Sequence, residues 1–380
     1  MKYAFYLVLS LTIIFTSCST TKDKKFSDQV SIELVETFDL KDDKFEKFKI
    51  LEVSKEVVVT VEDKKQTKVK KTPKKSKKKV SKKVSNKSKK FKKVEATSDE
   101  PVVTSNKESS DEYPDDYPEK FKNYNLKYKY VWDSVEPFFF ENERFLLKAS
   151  YLGITVGHAK LETLPMVNVA GKKAFHFKAS LKSASFYSYI YEVEDWVESY
   201  VDATTFLPIK YTLVQRESGQ DVDDLQLFDS EAFKTYFWYK RLKKGKIKKV
   251  EKNEFIPKYF QDSFAALYFV RGLDMKIGSR YEFPIITRAK LWLMKMHVEK
   301  IEEIKIMGKW IKAYRITAET RFPGILSKKG DIIFWFSTDK YRKILKFKAN
   351  IKIGAVEGEL VEYTKGDKRI TKTDVIPGQY

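Results

Sequence analysis

Apolar and polar residues alternate along most of the chain after residue 138. In residues 175–182 the apolar side chains fall on odd positions and the polar ones on even positions, and residues 345–353 repeat the alternation. Such a period of two buries one face of each strand and leaves the other solvated, as in antiparallel sheets. Turn signals such as the tripeptide at 244–246 separate the strands. The pattern predicts a mainly β domain over residues 138–365, with about twelve or more strands in one large curved antiparallel sheet, half-barrel or barrel-like.

One segment departs from this period. Apolar residues between 260 and 268 recur every three or four positions, which predicts one short helix over residues 261–271. Asp262 is placed to cap its N-terminus and Gly272 to end it. Asp262 and Arg271 project from opposite sides of such a helix and cannot pair with each other. We expect structural roles for both, with Arg271 free to hydrogen-bond to a nearby loop or strand.

The first residues have the form of a secretory signal. A lysine at position 2 precedes an apolar run over residues 4–15, which is too short to cross a bilayer, since crossing takes about 20 apolar residues. The run ends in Phe-Thr-Ser-Cys, which resembles the bacterial lipobox that directs a lipid onto its cysteine. We therefore predict a lipoprotein signal peptide over residues 1–17 and lipid attachment at Cys18. An ordinary signal peptide with a chance cysteine is the alternative.

Cys18 is the single cysteine of the chain, so no internal disulfide can form. The residue after it is Ser19, and the absence of an aspartate there favours the outer membrane over the inner. We expect a cell-envelope protein that is held to a membrane by lipid and faces the periplasm.

The formal net charge of +21 suggests a nucleic-acid binder, but its distribution does not. Residues 64–93 carry 17 lysines and no acidic residue, which leaves +4 for the rest of the chain. This stretch has few apolar residues and no hydrophobic period, so it cannot bury enough surface to fold. We predict a mostly disordered, Lys-rich tether over residues 18–135 and a flexible tail over residues 366–380.

Three anionic partners fit the lysines from Lys64 to Lys93: lipid headgroups, lipopolysaccharide and a cell-wall polymer. A solvated spacer without a partner is the alternative. Nucleic acid is not expected as a partner of an exported protein.

Residues 142–363 resemble a bacterial envelope family of unknown function, DUF3108. Three blocks carry the resemblance: LGITVGHA at 152–159, EDWVESYVD at 194–202 and QDSFAALYFVR at 261–271. The resemblance implies no reaction and no catalytic residues. Its sheet-with-helix pattern is similar to the open half-barrels of periplasmic lipoprotein carriers, and this analogy concerns the fold alone.

Few residues offer catalytic chemistry. The three histidines fall on separate predicted strands without metal-type spacing, and the chain has no P-loop, zinc motif or nucleophile elbow. Asp221, Asp223 and Asp224 are expected in a loop after Gly219, where carboxylates can bind a hard cation, although a solvated turn is the favoured interpretation. We expect no metal, no cofactor and no catalytic residue.

Dense aromatic rows are the most suggestive feature. An aromatic interior can hold an apolar ligand such as an acyl chain, but cross-strand aromatic pairs also stabilise sheets, and this core interpretation is favoured. In residues 236–239 four aromatics are consecutive, so the outer face of that strand must also be covered. The candidates for a cavity or a core are Tyr189, Tyr191, Tyr236, Trp238, Phe334 and Phe336.

These patterns lead to one main hypothesis of function. The chain is expected to be a non-enzymatic envelope lipoprotein whose β domain binds a lipid-like ligand or an envelope partner. The alternative is an envelope scaffold that uses the basic tether to grip an anionic membrane or cell-wall polymer. A third, weaker hypothesis is an enzyme that modifies envelope polymers.

Overall fold

The protein is described by a computed structural model that covers residue 34 and residues 38–52, 113–320, 331–350 and 354–370. All of these except Tyr113 belong to one compact unit. Helices α1 to α4 span Asp43–Glu46, Glu119–Ser134, Ser185–Ser188 and Ala265–Arg271. The strands are β1 Leu51–Glu52, β2 Phe139–Phe140, β3 Arg144–Tyr151, β4 Ile154–Val169, β5 Lys172–Ser183, β6 Glu194–Asp202, β7 Pro208–Glu217, β8 Gln220–Asp229, β9 Lys234–Lys243, β10 Lys246–Phe255, β11 Arg280–Thr287, β12 Lys290–Ile306, β13 Lys309–Thr320, β14 Asp331–Ser337, β15 Ile344–Asn350, β16 Ala355–Thr364 and β17 Arg369–Ile370.

One antiparallel sheet of fifteen strands makes up most of this unit. Its order runs from β10 down to β3 and then from β16 down to β11, so all neighbours on this path except β3 and β16 are adjacent in sequence. Strand β1 pairs with β4 beside this path, and β2 pairs with β17 in a small second sheet. The edge strands β10 and β11 are not joined, which leaves an open half-barrel. The predicted fold class is confirmed.

The antiparallel order gives the sheet two distinct ends. Connections that follow odd-numbered strands from β3 onward lie at one end, which we call the Phe186 rim, because the β5–β6 connection there contains that residue. Connections that follow even-numbered strands lie at the other end, which we call the Met307 rim after the turn between β12 and β13. Functional residues on one rim are therefore drawn from widely separated parts of the sequence.

The inner face of the sheet is filled by side chains from the strands and from α2 and α4. Phe177 on β5 stacks on Tyr268 of α4, with ring centroids 3.9 Å apart. Trp132 of α2 packs against Phe269 of α4 at 4.7 Å and against Phe283 of β11 at 6.2 Å. The alternating apolar residues of the strands thus form one continuous core with both helices.

Helix α2 lies across the opening between the two edge strands. Just before it, the Tyr117 ring packs at 5.7 Å from Phe255 of β10. Farther along, the Tyr128 hydroxyl donates to Glu282 of β11 at 2.6 Å. Tyr128 and Val131 are fully buried. The helix closes over the gap that strand pairing leaves open.

A second segment, the strap, covers the outer face of the sheet with Leu34 and residues 38–52. Phe45 packs edge-on against Tyr236 and Trp238 of β9, at 5.1 and 4.9 Å. Phe48 is almost fully buried, and its carbonyl accepts a hydrogen bond from the Lys210 Nζ atom at 3.1 Å. The strap therefore belongs to the folded unit and covers the outer side of the consecutive aromatics on β9.

These two segments move the boundaries that the sequence suggested. The predicted tether over residues 18–135 contains the strap and α2, both of which pack on the sheet, so the folded unit starts well before residue 138. The predicted tail over residues 366–380 begins with β17, whose Ile370 is buried beside β2. Residues 1–33, 35–37, 53–112 and 371–380, which complete the predicted signal peptide, tether and tail, lie outside the described part of the chain.

The segment before α4 holds the helix in place. The prediction began the helix at Gln261, but this residue instead exchanges backbone hydrogen bonds with β11, from its N–H to Pro284 at 3.0 Å and from Ile286 to its carbonyl at 2.8 Å. The Asp262 Oδ1 atom accepts from the N–H groups of the next turn and from the Ser199 hydroxyl at 2.9 Å. The N-terminal end of α4 is thereby joined to β6 and β11.

At the other end of α4, Arg271 forms a fully buried pair with Glu143. Two guanidinium nitrogens bind the two carboxylate oxygens at 2.8 and 3.1 Å, and the Tyr363 hydroxyl donates to the same carboxylate at 3.0 Å. The guanidinium also donates to the carbonyls of Tyr341 and Arg342. Arg271 thus donates to Glu143, just before β3, and to the β14–β15 connection. These contacts agree with the expectation that it hydrogen-bonds to a nearby loop or strand.

Breaking this pair should destabilise the fold strongly. We expect Arg271→Met to lower the free energy of unfolding by about 3–5 kcal/mol, because Glu143 would stay buried without its cation. The double variant Arg271→Met/Glu143→Leu should recover much of the loss. Urea unfolding of both variants measures the effect, with Lys276→Ala at an exposed ion pair as the control that should change little. A loss for Arg271→Met no larger than that of the control would contradict the assignment.

Asp262 should give the fold a recognisable pH dependence. Burial raises the pKa of Asp262 to about 6, whereas an aspartate in the unfolded chain titrates near 4. The folded state therefore holds the proton more tightly, and its stability should fall as the pH rises from about 4 to about 6, by up to about 1.4 kcal/mol per pH unit. In Asp262→Asn, which keeps the capping oxygen, urea unfolding at several pH values should show a flatter profile over this range. An unchanged profile would contradict the assignment.

Candidate functional site at one rim of the sheet

Exposed apolar side chains cluster on two neighbouring connections of the Phe186 rim. They come from the turn between β3 and β4 and from the β5–β6 connection, which includes α3. Soluble surfaces seldom carry large apolar side chains side by side without a binding role. Their exposed fractions are 64 % for Leu152, 65 % for Ile154, 81 % for Phe186, 90 % for Tyr189 and 63 % for Ile190.

Hydrogen bonds fix the β5–β6 connection to the neighbouring strands, and three of its apolar side chains face the solvent. The N–H of Ala184 donates to the carbonyl of Val156 at 3.0 Å, and the Ser183 hydroxyl donates to the carbonyl of Tyr191 at 3.1 Å. Tyr187 and Tyr191 pack against the inner core. With these two rings turned inward, Phe186, Tyr189 and Ile190 are left on the solvent side.

The β3–β4 turn also holds an apolar residue in a strained backbone conformation. Leu152 and Gly153 both have positive φ, at 49° and 82°. Two-residue hairpin turns of this kind favour Asn or Asp before Gly, because those residues tolerate the left-handed region better than leucine. Local preference therefore does not account for a leucine at this tip.

A buried polar cluster lies directly beneath this rim. The Gln215 side-chain amide donates to Asp195 at 3.2 Å and to Glu217 at 3.1 Å, and the Tyr191 hydroxyl donates to Glu217 at 2.7 Å. Burial and the neighbouring Glu217 carboxyl raise the pKa of Asp195 well above its ordinary value. The two carboxyl groups connect β6 and β7 to the apolar connection through Tyr191, and sequence reasoning did not single them out.

The three aspartates after Gly219 are placed differently from the prediction of a solvated turn. The turn ends at Gly219, and all three residues lie on β8 and are buried. Asp223 pairs with the Arg216 guanidinium at 2.8 Å, and Asp224 lies 2.9 Å from the Arg288 Nε atom. Burial raises the pKa of Asp224 to about 6. The prediction was wrong because β8 is covered on both faces, so its sequence shows no apolar alternation.

The six aromatic residues named as cavity candidates do not line one space. On the outer face, Tyr236 and Trp238 pack against the strap. On the inner face, Phe334 packs against the core and Phe336 is fully buried in it. Tyr189 and Tyr191 belong to the Phe186 rim, the first exposed and the second half-buried. Their positions are those of core, cover and rim residues.

A basic hairpin occupies the same rim at the β9–β10 turn. Residues 240–249 read KRLKKGKIKK, with seven basic residues and no acidic one. Lys243, Lys244, Lys246 and Lys249 are exposed. The small net charge of the chain outside residues 64–93 concealed this cluster, and a local charge count would have revealed it.

The predicted lipid site Cys18 and the lysines from Lys64 to Lys93 lie outside the described residues. Within the described residues, no helix is both long and apolar enough to span a membrane. In that same part of the chain, no group of three or more His, Cys, Asp or Glu side chains is arranged to hold a metal ion.

Two solved structures match the chain at low sequence identity. A β-barrel-like protein of DUF1849 from Brucella abortus is 13 % identical, with a TM-score of 0.40, and the alignment covers 60 % of this chain and 98 % of that one. A candidate lipoprotein from Parabacteroides distasonis is 12 % identical, with a TM-score of 0.28, and the alignment covers 61 % of this chain and all of that one. No curated protein matches the sequence.

The family comparison covers more than half of the chain. The family described as "Protein of unknown function (DUF3108)" matches residues 145–361, which run from β3 to β16 and include α4 and the Phe186 rim. The chain belongs to the DUF3108 family.

Proposed function

We propose that this chain is a non-enzymatic, lipid-anchored protein of the cell envelope whose β domain binds lipid through the Phe186 rim. The observation that carries the proposal is the exposure of Phe186, Tyr189 and Ile190 on a connection whose backbone is fixed to the sheet. Leu152 in the β3–β4 turn and Ile154 at the start of β4 are also exposed at this rim. Aromatic and aliphatic side chains of this kind fit the boundary between headgroups and acyl chains.

The state of the inner face supports a binding role at the rim over one inside the half-barrel. Side chains of α2 and α4 pack against the inner face, and Tyr268 and Phe269 are fully buried there. The buried ion pair of Arg271 and Glu143 fixes the position of α4. An acyl chain on the inner face would have to displace these contacts, whereas the rim residues are already exposed.

The anchor is part of the proposal. The Phe-Thr-Ser-Cys sequence that ends at Cys18 supports lipid attachment at that cysteine. A lipid there would hold the domain at a membrane, and we propose that the domain faces the periplasm. The residue after the cysteine is Ser19 and not an aspartate, which favours the outer membrane over the inner.

A second candidate function rests on the lysine run from Lys64 to Lys93. Its 17 lysines without an acidic neighbour would attract anionic lipid, lipopolysaccharide or cell-wall polymer. In that case the protein would be a scaffold that grips the envelope through this segment, and the β domain would dock to a partner.

Cys18→Ser should separate the two functions in a cell fractionation experiment. We expect a high-salt wash to release much more of this variant than of the unaltered chain from the membrane fraction. Salt screens lysine contacts but does not remove a covalent lipid, and the apolar rim alone would hold the variant only reversibly. If Cys18→Ser stays in the membrane fraction and is lost from it only when residues 64–93 are also deleted, the scaffold function is favoured. A variant held as firmly as the unaltered chain would contradict the lipid anchor.

A fluorophore at the rim should report lipid contact directly. The full-length variant Cys18→Ser/Tyr189→Cys has one thiol, which can carry an environment-sensitive dye at an exposed position. We expect its emission to shift to the blue with phosphatidylcholine vesicles. Adding Phe186→Ser and Ile190→Ser should weaken the apparent partition coefficient about tenfold or more, given the value of burying large apolar side chains.

The matched control carries the same dye at the opposite rim. Met307 is also exposed, so Cys18→Ser/Met307→Cys tests whether the response belongs to the Phe186 rim. Its emission should change little. Equal shifts at both positions, or none at Tyr189, would overturn the proposed rim function.

A further inference from the structure

The basic hairpin places like charges directly opposite each other. In the β9–β10 register Lys243 faces Lys246, Arg241 faces Lys248 and Lys240 faces Lys249. Like charges in cross-strand pairs destabilise a sheet. The Lys243–Lys246 pair at the tip of the hairpin, where both side chains are exposed, therefore has a cost in the isolated molecule that an anionic partner would remove. Lys240, by contrast, also faces Asp223 of β8.

Protection of the sheet edge explains only part of this arrangement. Lysines on an edge strand discourage pairing with other chains, and β10 is an edge strand. That role needs charge on β10 alone. Arg241 and Lys243 lie on β9, whose two neighbours β8 and β10 already occupy both of its sides.

The hairpin tip and the apolar tips share one end of the sheet. The β9–β10 turn at Lys244 and Gly245 and the β5–β6 connection both belong to the Phe186 rim. Three strand spacings separate β9 from β6, or about 14 Å. A single flat surface can therefore meet both groups.

Acidic side chains on the β5–β6 side of this rim do not cancel the charge of the hairpin. Glu194 is exposed but lies 3.3 Å from the Lys182 ammonium, and Glu192 is the other exposed carboxylate of that connection. Asp195 and Glu217 are buried in the polar cluster beneath it. The rim thus presents a basic end and an apolar end side by side.

We propose that the Phe186 rim and the β9–β10 hairpin together form a docking surface for an anionic lipid bilayer. The hairpin lysines contact headgroup phosphates and carboxylates, while Phe186, Tyr189 and Ile190 enter the adjoining acyl layer. This inference rests on the proposed function and adds to it the charge class of the lipid. An anionic surface relieves the opposed lysines, and the apolar tips distinguish a bilayer from a soluble polyanion.

The test uses the full chain with the dye at position 189 and vesicles of two compositions. Partitioning of Cys18→Ser/Tyr189→Cys should be at least about tenfold stronger on vesicles that contain anionic phospholipid than on phosphatidylcholine alone. Raising the salt from 0.1 to 1 M should remove most of that preference, because the Debye length falls from about 10 Å to about 3 Å.

Charge variants locate the preference on the hairpin. Adding Lys243→Gln and Lys246→Gln should weaken partitioning about 25-fold on anionic vesicles, at about fivefold for each lysine, and leave it unchanged on phosphatidylcholine. Lys305→Gln/Lys309→Gln is the matched control, because it removes the same charge from exposed positions near the opposite rim. Both pairs retain residues 64–93, so that segment contributes equally to each.

The outcomes separate this inference from the proposed function. Equal losses for the hairpin and control variants, with binding to phosphatidylcholine intact, would overturn the inference and leave the rim function standing. No response to either kind of vesicle would overturn both. Hairpin variants that lose binding to a soluble anionic polysaccharide, but not to vesicles, would assign the hairpin to a polymer and overturn the lipid proposal.

Discussion

The fold depends on holding one helix across the inner face of an open sheet. Helix α4 lies between strands that are far apart in the half-barrel, and it is fixed at both ends by polar contacts. Asp262 joins its start to Ser199 on β6, and Arg271 joins its end to Glu143 just before β3. A buried bidentate pair tolerates little displacement, because each charge loses water and can regain partners in one geometry only. The pair therefore fixes the spacing at which the helix and the sheet meet, and α2 can then close over the remaining gap.

The regular parts of this architecture could be predicted from sequence because burial on one face leaves an alternating pattern. Strands β5 and β15 show it plainly. Strand β8 does not, because the strap side and the inner side are both covered, and Asp223 and Asp224 pair with the half-buried Arg216 and Arg288. The helix prediction was also wrong at Gln261, because the backbone of this residue hydrogen-bonds to β11, a strand that begins about twenty residues later in the sequence.

The strap and α2 escaped prediction for a different reason. Phe45 contacts Trp238 nearly two hundred residues later, so the strap carries no local signal beyond three aromatic and a few aliphatic residues in a charged segment. Helix α2 is rich in lysine and asparagine, and most of its stability comes from packing Tyr128, Val131 and Trp132 onto the sheet. At the candidate site, the aromatic rows of the sequence indicate Tyr189. The β3–β4 turn and the β9–β10 hairpin lie at the same rim because of the order of the strands in the sheet, which the sequence pattern does not show.

The strap also changes the geometry of the proposed anchor. Leu34 is buried in the outer-face cluster only sixteen residues after Cys18. Even a fully extended chain of that length reaches no more than about 55 Å, whereas a free chain from Cys18 to residue 135 could reach about 400 Å. If lipid is attached at Cys18, the radius within which the domain can move is thus set by a short leader. In the sequence, the lysine-rich stretch lies between the strap and α2, after Leu34, so its length adds nothing to that radius.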